Sequence, residues 1–175
     1  MSLCDEFDQM QIITISELTD IFKKNCFQNN LSDIELYIDI DKTCMTPEKL
    51  IARVFNSNYA LRNRIMINTK KISFSYNDNL IPTRDNLDKF INLCKNTFKY
   101  IAFVTKRPDS EINKIREELT SHNLPSDVDI INQNNIKQNL LNNKFYYIDS
   151  DVNTYRDIVS NNKSKDSVLF QLSVF

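Results

Sequence analysis

The chain has 175 residues and a formal net charge of −1, with 41% hydrophobic and 26% charged residues. These values are typical of one globular domain and do not predict a surface that coats nucleic acid. The chain contains no glycine, which argues against a P-loop or a Rossmann fingerprint, because both need glycine where the backbone approaches phosphate.

The first predicted elements are a helix, a strand and a second helix. The helix covers Glu17 to Lys24 with Ser16 as its N-cap, in an N-terminal helical extension of residues 1–30. An apolar run predicts a buried strand over Ile34–Ile40. Thr46-Pro47 has the pattern of an N-cap followed by proline at the first helical position, and predicts a helix through about Phe55.

The middle of the chain predicts a small insertion and then a return to the core. Residues 64–78, "RIMINTKKISFSYND", alternate apolar and polar side chains, which indicates a β-hairpin in an insertion spanning about residues 46–80. An amphipathic stripe beginning at Leu87 predicts a helix, "YIAFV" predicts a buried strand over Tyr100–Val104, and Pro108 opens a further helix.

The last part of the chain continues the alternation of strands and helices. The predicted strands are 128–131, 144–148 and 167–170, and the predicted helices are 136–141 and 155–159. Apolar strands that alternate with helices indicate a mostly parallel sheet covered by helices on both faces. The sequence therefore predicts a single α/β domain over residues 1–175.

Polar side chains follow three of the predicted strands. Ligands of open parallel sheets bind beyond the carboxyl ends of the strands, so we expect these side chains to converge. Asp39, Asp41 and Thr43 would share one side if the extended geometry persisted, because side chains alternate along a strand. The other groups are Thr105, Lys106 and Arg107 after the strand at 100–104, Asp149, Ser150 and Asp151 after the strand at 144–148, and Lys137 upstream.

This convergence favours phosphate chemistry. Carboxylate oxygens suit Mg²⁺ held through one or two carboxylates together with water and a substrate phosphate, and a carboxylate can itself attack phosphorus. The one histidine, His122, lies in a predicted loop, and the four cysteines form no C-x-x-C pair, so the chemistry is expected to run on carboxylates, lysines and hydroxyls.

The same residues resemble the motifs of the haloacid dehalogenase superfamily of phosphatases. "YIDIDKT" resembles the first motif, hhhDxDxT, and "IAFVT" resembles the second, an apolar strand that ends in Thr or Ser. Lys137 stands in place of the third-motif lysine, and "FYYIDSD" resembles the acidic fourth motif. The resemblance covers about residues 34–159 and implies the fold of that superfamily, a three-layer sandwich.

The resemblance implies a role for each matched residue. Asp39 would be the nucleophile, and Asp41 would protonate the leaving oxygen and then activate water. Thr105 would hydrogen-bond the transferring phosphoryl group, and Lys137 would offset negative charge. Asp39, the backbone carbonyl of Asp41 and Asp149 would bind Mg²⁺.

One branch of the superfamily fits best. "TRDNLDKFINLC" is similar to the "RPxxxEFL" segment of phosphatases that act on the RNA polymerase II C-terminal domain, and "IDSDVNTY" is similar to their "DNSPxxY" ending. "TKRP" followed by "DSDVN" also resembles class B acid phosphatases, in which a second acidic ligand lies four residues after the first. Asn153 has that place here, so Ser150, Asp151 and Asn153 all remain candidates to complete the metal site.

The resulting expectation is a Mg²⁺-dependent phosphomonoester hydrolase, most like a protein Ser/Thr phosphatase, with a phosphorylated protein or peptide as substrate. Lys70, Lys71, Lys106 and Arg107 are candidates to border its cleft. The alternatives are a small-molecule, nucleotide or nucleic-acid-end phosphatase, and a catalytically weak assembly or interaction protein, such as a viral one. No apolar run predicts a membrane helix, and the acidic N-terminus is unlike a secretory signal, so an intracellular protein without membrane partners is expected.

Overall fold

The computed structural model of the protein describes residues 12–25, 30–48, 79–139, 144–151 and 168–172. The elements in chain order are β1 (Ile12–Ile13), α1 (Ile15–Asn25), β2 (Glu35–Asp39), β3 (Met45–Pro47), β4 (Leu80–Pro82), α2 (Leu87–Thr97), β5 (Tyr100–Thr105), α3 (Ile112–Ser121), β6 (Asp129–Asn132), α4 (Gln133–Asn139), β7 (Phe145–Asp149) and β8 (Val168–Leu172), with short 3-10 helices at Leu31–Asp33 and Asp109–Glu111.

Six strands form one sheet in the order β1-β8-β7-β2-β5-β6, and every neighbouring pair is parallel. The five predicted strands are confirmed as β2, β5, β6, β7 and β8, and the short β1 was not predicted. The chain adds β5 and β6 on one side of β2 and then β7 and β8 on the other side. The strand order therefore reverses between β2 and β7, which is where open α/β sheets bind their ligands.

Helices cover both faces of this sheet. Leu36 and Ile38 of β2 point into a cluster that also contains the buried residues of α1, α2 and α3. Tyr37, between them, points to the opposite face and packs in a second cluster with Ile136 of α4. The α/β prediction is confirmed, and the layering is compatible with a three-layer sandwich.

Helix α1 starts earlier than predicted and has a different cap. The Thr14 hydroxyl accepts a hydrogen bond from the Glu17 amide at 3.2 Å, and the Glu17 carboxylate accepts one from the Thr14 amide at 2.8 Å. This reciprocal pair is a capping box, so the prediction of Ser16 as N-cap was wrong. Ser16 is exposed within the helix. The glutamate that completes the box, Glu17, lies three residues after Thr14, which makes Thr14 the N-cap.

The segment predicted to open a second helix forms a strand. Thr46 pairs with Ile81 in a two-stranded antiparallel ribbon, β3–β4. Thr46 as the N-cap and Pro47 as the first helical residue were therefore wrong, because pairing with a distant segment outweighed the local cap signal. Glu48 is helical, and the rest of the predicted helix through Phe55 lies outside the described residues. The ribbon holds together the two ends of the segment between β3 and β4. The predicted hairpin at 64–78 and the predicted helix at 155–159 lie outside the described residues.

Asparagine fills left-handed backbone positions in this glycine-free chain. Asn30, Asn86 and Asn123 have φ values of 47°, 58° and 58°, as expected of the non-glycine residue that tolerates this region best. Lys42, with φ 68°, is a left-handed residue of a type that has no such tolerance, and it lies between Asp41 and Thr43.

Phe22 is expected to be the main anchor of α1. Its side chain is fully buried, with ring centroids 4.9–6.4 Å from those of Phe90, Phe98, Tyr146 and Phe170. Phe22→Ala should lower the free energy of unfolding by about 3–5 kcal/mol, measured by urea denaturation, because it leaves a cavity among these rings. The exposed neighbour Lys23→Ala should change it by less than about 0.5 kcal/mol. Equal effects of the two substitutions would contradict the packing of α1 in the core.

Candidate functional site

Two buried aspartates stand side by side where the strand order reverses. Asp39 ends β2 and Asp149 ends β7, and the two strands are in parallel register up to the pair Ile38 and Ile148. The next residue on each strand is therefore one of the aspartates. Asp39 is 5% exposed and Asp149 is 2% exposed, although carboxylates are among the groups that are least often buried.

This arrangement disfavours the charged form of the Asp39 carboxyl. Burial raises the pKa of the Asp39 carboxyl well above its usual range, and the negative charges of Asp149 and Asp41 raise it further. A hydrogen bond from Thr43 and the positive charge of Lys106 lower the pKa of Asp39 but do not offset the increase. The site is therefore one that a bound cation would stabilise.

A tight turn after β2 brings Thr43 back to Asp39. The left-handed Lys42 donates its amide to the Met45 carbonyl at 2.6 Å, and the Thr43 hydroxyl donates to Asp39 Oδ2 at 2.8 Å. The extended geometry does not persist to Thr43, because the chain turns after Asp41. The turn still places Thr43 on the Asp39 carboxylate, and the left-handed lysine costs about 1–2 kcal/mol of backbone strain.

The Asp41 side chain points to β5 and is held there on both of its oxygens. The Thr105 hydroxyl donates to Asp41 Oδ2 at 2.7 Å. Arg107 Nε lies 2.9 Å from Asp41 Oδ1, and Arg107 Nη2 lies 2.8 Å from the same oxygen. The Asp41 carboxylate therefore belongs to a hydrogen-bonded group with β5, while Asp39 faces Asp149.

Thr105 lies in the site, and its hydroxyl group is hydrogen-bonded to other residues of the same chain. Its side chain is fully buried at the end of β5. Besides donating to Asp41, its hydroxyl accepts a hydrogen bond from the Arg107 amide at 3.1 Å. The contact of Thr105 with a phosphoryl group stays a prediction.

Arg107 does not border an open cleft, and that prediction was wrong. The residue is 2% exposed, and its Nη1 lies 2.9 Å from Glu118 Oε2 on α3. Burial lowers the pKa of the guanidinium, but the charges of Asp41 and Glu118 outweigh burial and raise it. Glu118 belongs to no motif, so its contact with Arg107 could not be predicted from the sequence. Lys106 is exposed as expected, whereas Lys70 and Lys71 lie outside the described residues.

The two residues that follow β7, Ser150 and Asp151, contact Thr43 and Asp149. The Ser150 amide donates to the Thr43 hydroxyl at 3.1 Å, and the Ser150 hydroxyl lies at the same distance from it. The Asp151 amide donates to Asp149 Oδ1 at 2.8 Å. Asn153 lies outside the described residues, so its place in the metal site stays a prediction.

Two further expectations concern a lysine and a metal. Lys137 lies on α4, and its side chain is outside the described part of the structure. Among the described residues, no three Asp, Glu, His or Cys side chains gather into a metal-binding group. Mg²⁺ needs only one or two protein carboxylates when water and a phosphate supply its other ligands, and the Asp39–Asp149 pair meets that requirement.

The raised pKa of Asp39 predicts a pH-dependent stabilisation by Asp39→Asn. A group whose pKa is raised by folding contributes stability that is present below its unfolded pKa and is lost as pH rises through the folded pKa. In the presence of a chelator, Asp39→Asn should therefore raise the melting temperature at about pH 8, and the gain should shrink toward about pH 4, near the pKa of a free aspartate.

The control for this measurement is Asp20→Asn, since Asp20 is exposed on α1. This variant should follow the wild type across the whole pH range. A melting temperature of Asp39→Asn equal to or below that of the wild type at about pH 8 would contradict the electrostatic cost assigned to Asp39.

Three kinds of comparison bear on the identity of the chain. No family model, no curated protein and no solved structure matches it. Within the described ranges, no helix is both long enough and apolar enough to cross a bilayer. The function proposed for the chain therefore rests on the chemistry of Asp39, Asp149 and their neighbours.

Proposed function

We propose that the protein is a Mg²⁺-dependent phosphomonoester hydrolase of the haloacid dehalogenase type, with Asp39 as its nucleophile. The observation that carries the proposal is the buried pair of Asp39 and Asp149 at the reversal of the strand order. Structural carboxylates are seldom buried next to each other, whereas strongly perturbed carboxylates at a ligand-binding edge are typical of catalytic sites.

Asp39 is the carboxylate best placed for attack on phosphorus. Its Oδ2 accepts the Thr43 hydrogen bond at 2.8 Å, which fixes the plane of the carboxylate and leaves Oδ1 as the attacking oxygen. Oδ1 forms the bond to phosphorus while the bond to the leaving oxygen breaks. Water then attacks the phosphorus of the aspartyl-phosphate and releases phosphate and free Asp39.

Asp41 is the acid and base of this scheme. It lies two residues after Asp39 and is held on β5 by Thr105 and Arg107. In the first step the protonated form of Asp41 gives its proton to the leaving oxygen, and in the second step Asp41 takes a proton from the attacking water, which restores that form. This division of labour needs two carboxylates with different surroundings, which Asp39 and Asp41 have.

Asp39 and Asp149 would hold Mg²⁺. When bound, the ion supplies positive charge that offsets the two carboxylates and the phosphate. Lys106 adds positive charge, since it lies close enough to Asp39 to lower its pKa. In this proposal Lys106 therefore shares with Lys137 the role that the family resemblance implies for Lys137, which is to offset negative charge.

We propose a phosphorylated protein segment as the substrate. The chain between β3 and β4, residues 48–79, is short for a lid that closes over a small molecule. An open site would admit a phosphorylated loop, with the exposed Lys106 beside it. A higher kcat/KM for a phosphopeptide than for sugar phosphates and mononucleotides is expected, and the reverse order would favour the small-molecule alternative.

The nucleophile prediction is tested by Asp39→Asn, which keeps the shape of the side chain but removes its charge and nucleophilicity. With Mg²⁺ and 4-nitrophenyl phosphate or a phosphopeptide, its turnover should fall below about a tenth of the wild-type value. Asp20→Asn should retain wild-type turnover. An Asp39→Asn variant above that level would rule out a covalent intermediate on Asp39, and an inactive wild type would favour the binding-protein alternative.

The metal prediction uses a readout that does not depend on turnover. Mg²⁺ should raise the melting temperature of the wild type, by roughly 2–4 °C for each 1 kcal/mol of binding energy gained, because it relieves the repulsion between Asp39 and Asp149. Asp149→Asn should abolish this rise, a chelator should reverse it, and Asp20→Asn should keep it. Phosphatase activity that persists in excess chelator would refute the metal requirement.

A further inference from the structure

A buried chain of charges connects the site to helix α3. Arg107 lies between Asp41 and Glu118, with its Nε and Nη2 on one Asp41 oxygen and its Nη1 on Glu118. The arginine side chain is 2% exposed, that of Asp41 13% and that of Glu118 17%. All three groups are thus largely withdrawn from solvent, and each is neutralised by a neighbour.

Arg107 is fixed from several directions before it reaches Asp41. Its carbonyl accepts a hydrogen bond from the Asn132 side chain of β6 at 2.7 Å, and its amide donates to Thr105. Glu118 holds the far side of its guanidinium. The guanidinium is planar and rigid, and its Nε and Nη2 both lie on Oδ1 of Asp41, so a fixed Arg107 determines the position of that oxygen.

Stability alone is a weak reason for this arrangement. A buried ion pair is often no more stabilising than apolar residues of the same size, since the loss of hydration cancels much of the attraction. Orientation is a stronger reason. Thr105 fixes Oδ2 of Asp41 and Arg107 fixes Oδ1, which removes rotation about the last bond of the side chain.

We propose that Arg107 and Glu118 are positioning residues for Asp41, a proposal that rests on the proposed phosphatase function. Glu118 orients Arg107, and Arg107 holds the Asp41 carboxylate at the distance from which it serves the leaving oxygen. In the step concerned, Asp39 bonds to phosphorus, the bond from phosphorus to the leaving oxygen breaks, and that oxygen keeps the electron pair and takes the proton from Asp41. An alkoxide needs this proton, whereas 4-nitrophenolate leaves as a stable anion.

The test is Glu118→Gln, which keeps an oxygen acceptor for Arg107 but removes the charge. Its kcat should fall by roughly tenfold or more for an alkyl phosphate, within the about 10²–10⁴-fold that acid–base catalysis supplies. For 4-nitrophenyl phosphate the loss should stay below about threefold, and KM should not change for either substrate. Arg107→Lys should show the same split, because an ammonium group cannot reproduce the planar guanidinium. Glu117→Gln, on the exposed side of the same helix, is the matched control and should behave as the wild type.

A second measurement asks whether the effect passes through Asp41. In an Asp41→Asn background, Glu118→Gln should cost nothing further, since the group that it positions is gone. Melting temperatures of all variants identify loss of fold, and if Glu118→Gln does not fold, Arg107→Lys provides the comparison. Equal losses for both substrates, or additive losses in the Asp41→Asn background, would overturn the positioning role while leaving the phosphatase function intact. A wild type that hydrolyses neither substrate would overturn both.

Discussion

The repulsion between two buried carboxylates, Asp39 and Asp149, is the constraint on which the site depends. Adjacent parallel strands place them side by side, and burial denies them the water that would screen their charges. The charged form of Asp39 is partly stabilised by Thr43 and Lys106, and that of Asp149 by the Asp151 amide. The pKa of Asp39 nevertheless stays well above its usual range, so the folded chain keeps a place at the sheet edge that favours a cation.

The surroundings of Asp41 differ from those of Asp39, because positive charge and hydrogen-bond donors lie next to Asp41. Asp41 accepts hydrogen bonds from Thr105 and from Arg107 Nε, and Arg107 Nη2 forms an ion pair with it. The two aspartates are separated by one residue, and their side chains have different neighbours. A single short segment thus supplies one carboxylate beside another negative charge and one that is held by a positive charge.

Most of the sheet could be predicted, whereas several details of the site could not. Buried strands in parallel sheets are continuous apolar runs, so β2, β5 and β7 were visible in the sequence, and so were the polar residues at their ends. Ser16, Thr46 and Arg107 were misassigned because single local signals, a serine, a proline and a positive charge, were outweighed by contacts that the folded chain makes. The capping glutamate, the paired strand β4 and Glu118 decided these positions.

The sequence by itself determined the periodicity of its elements, the absence of glycine-dependent phosphate loops and the set of side chains available at the strand ends. These properties depend on residue type and on neighbours within a few positions, which the sequence states directly. The tertiary structure decided which of those side chains meet. Strand order put Asp149 beside Asp39, and helix α3 brought Glu118 to Arg107, because both contacts join elements whose relative position is fixed only when the sheet and its helices pack.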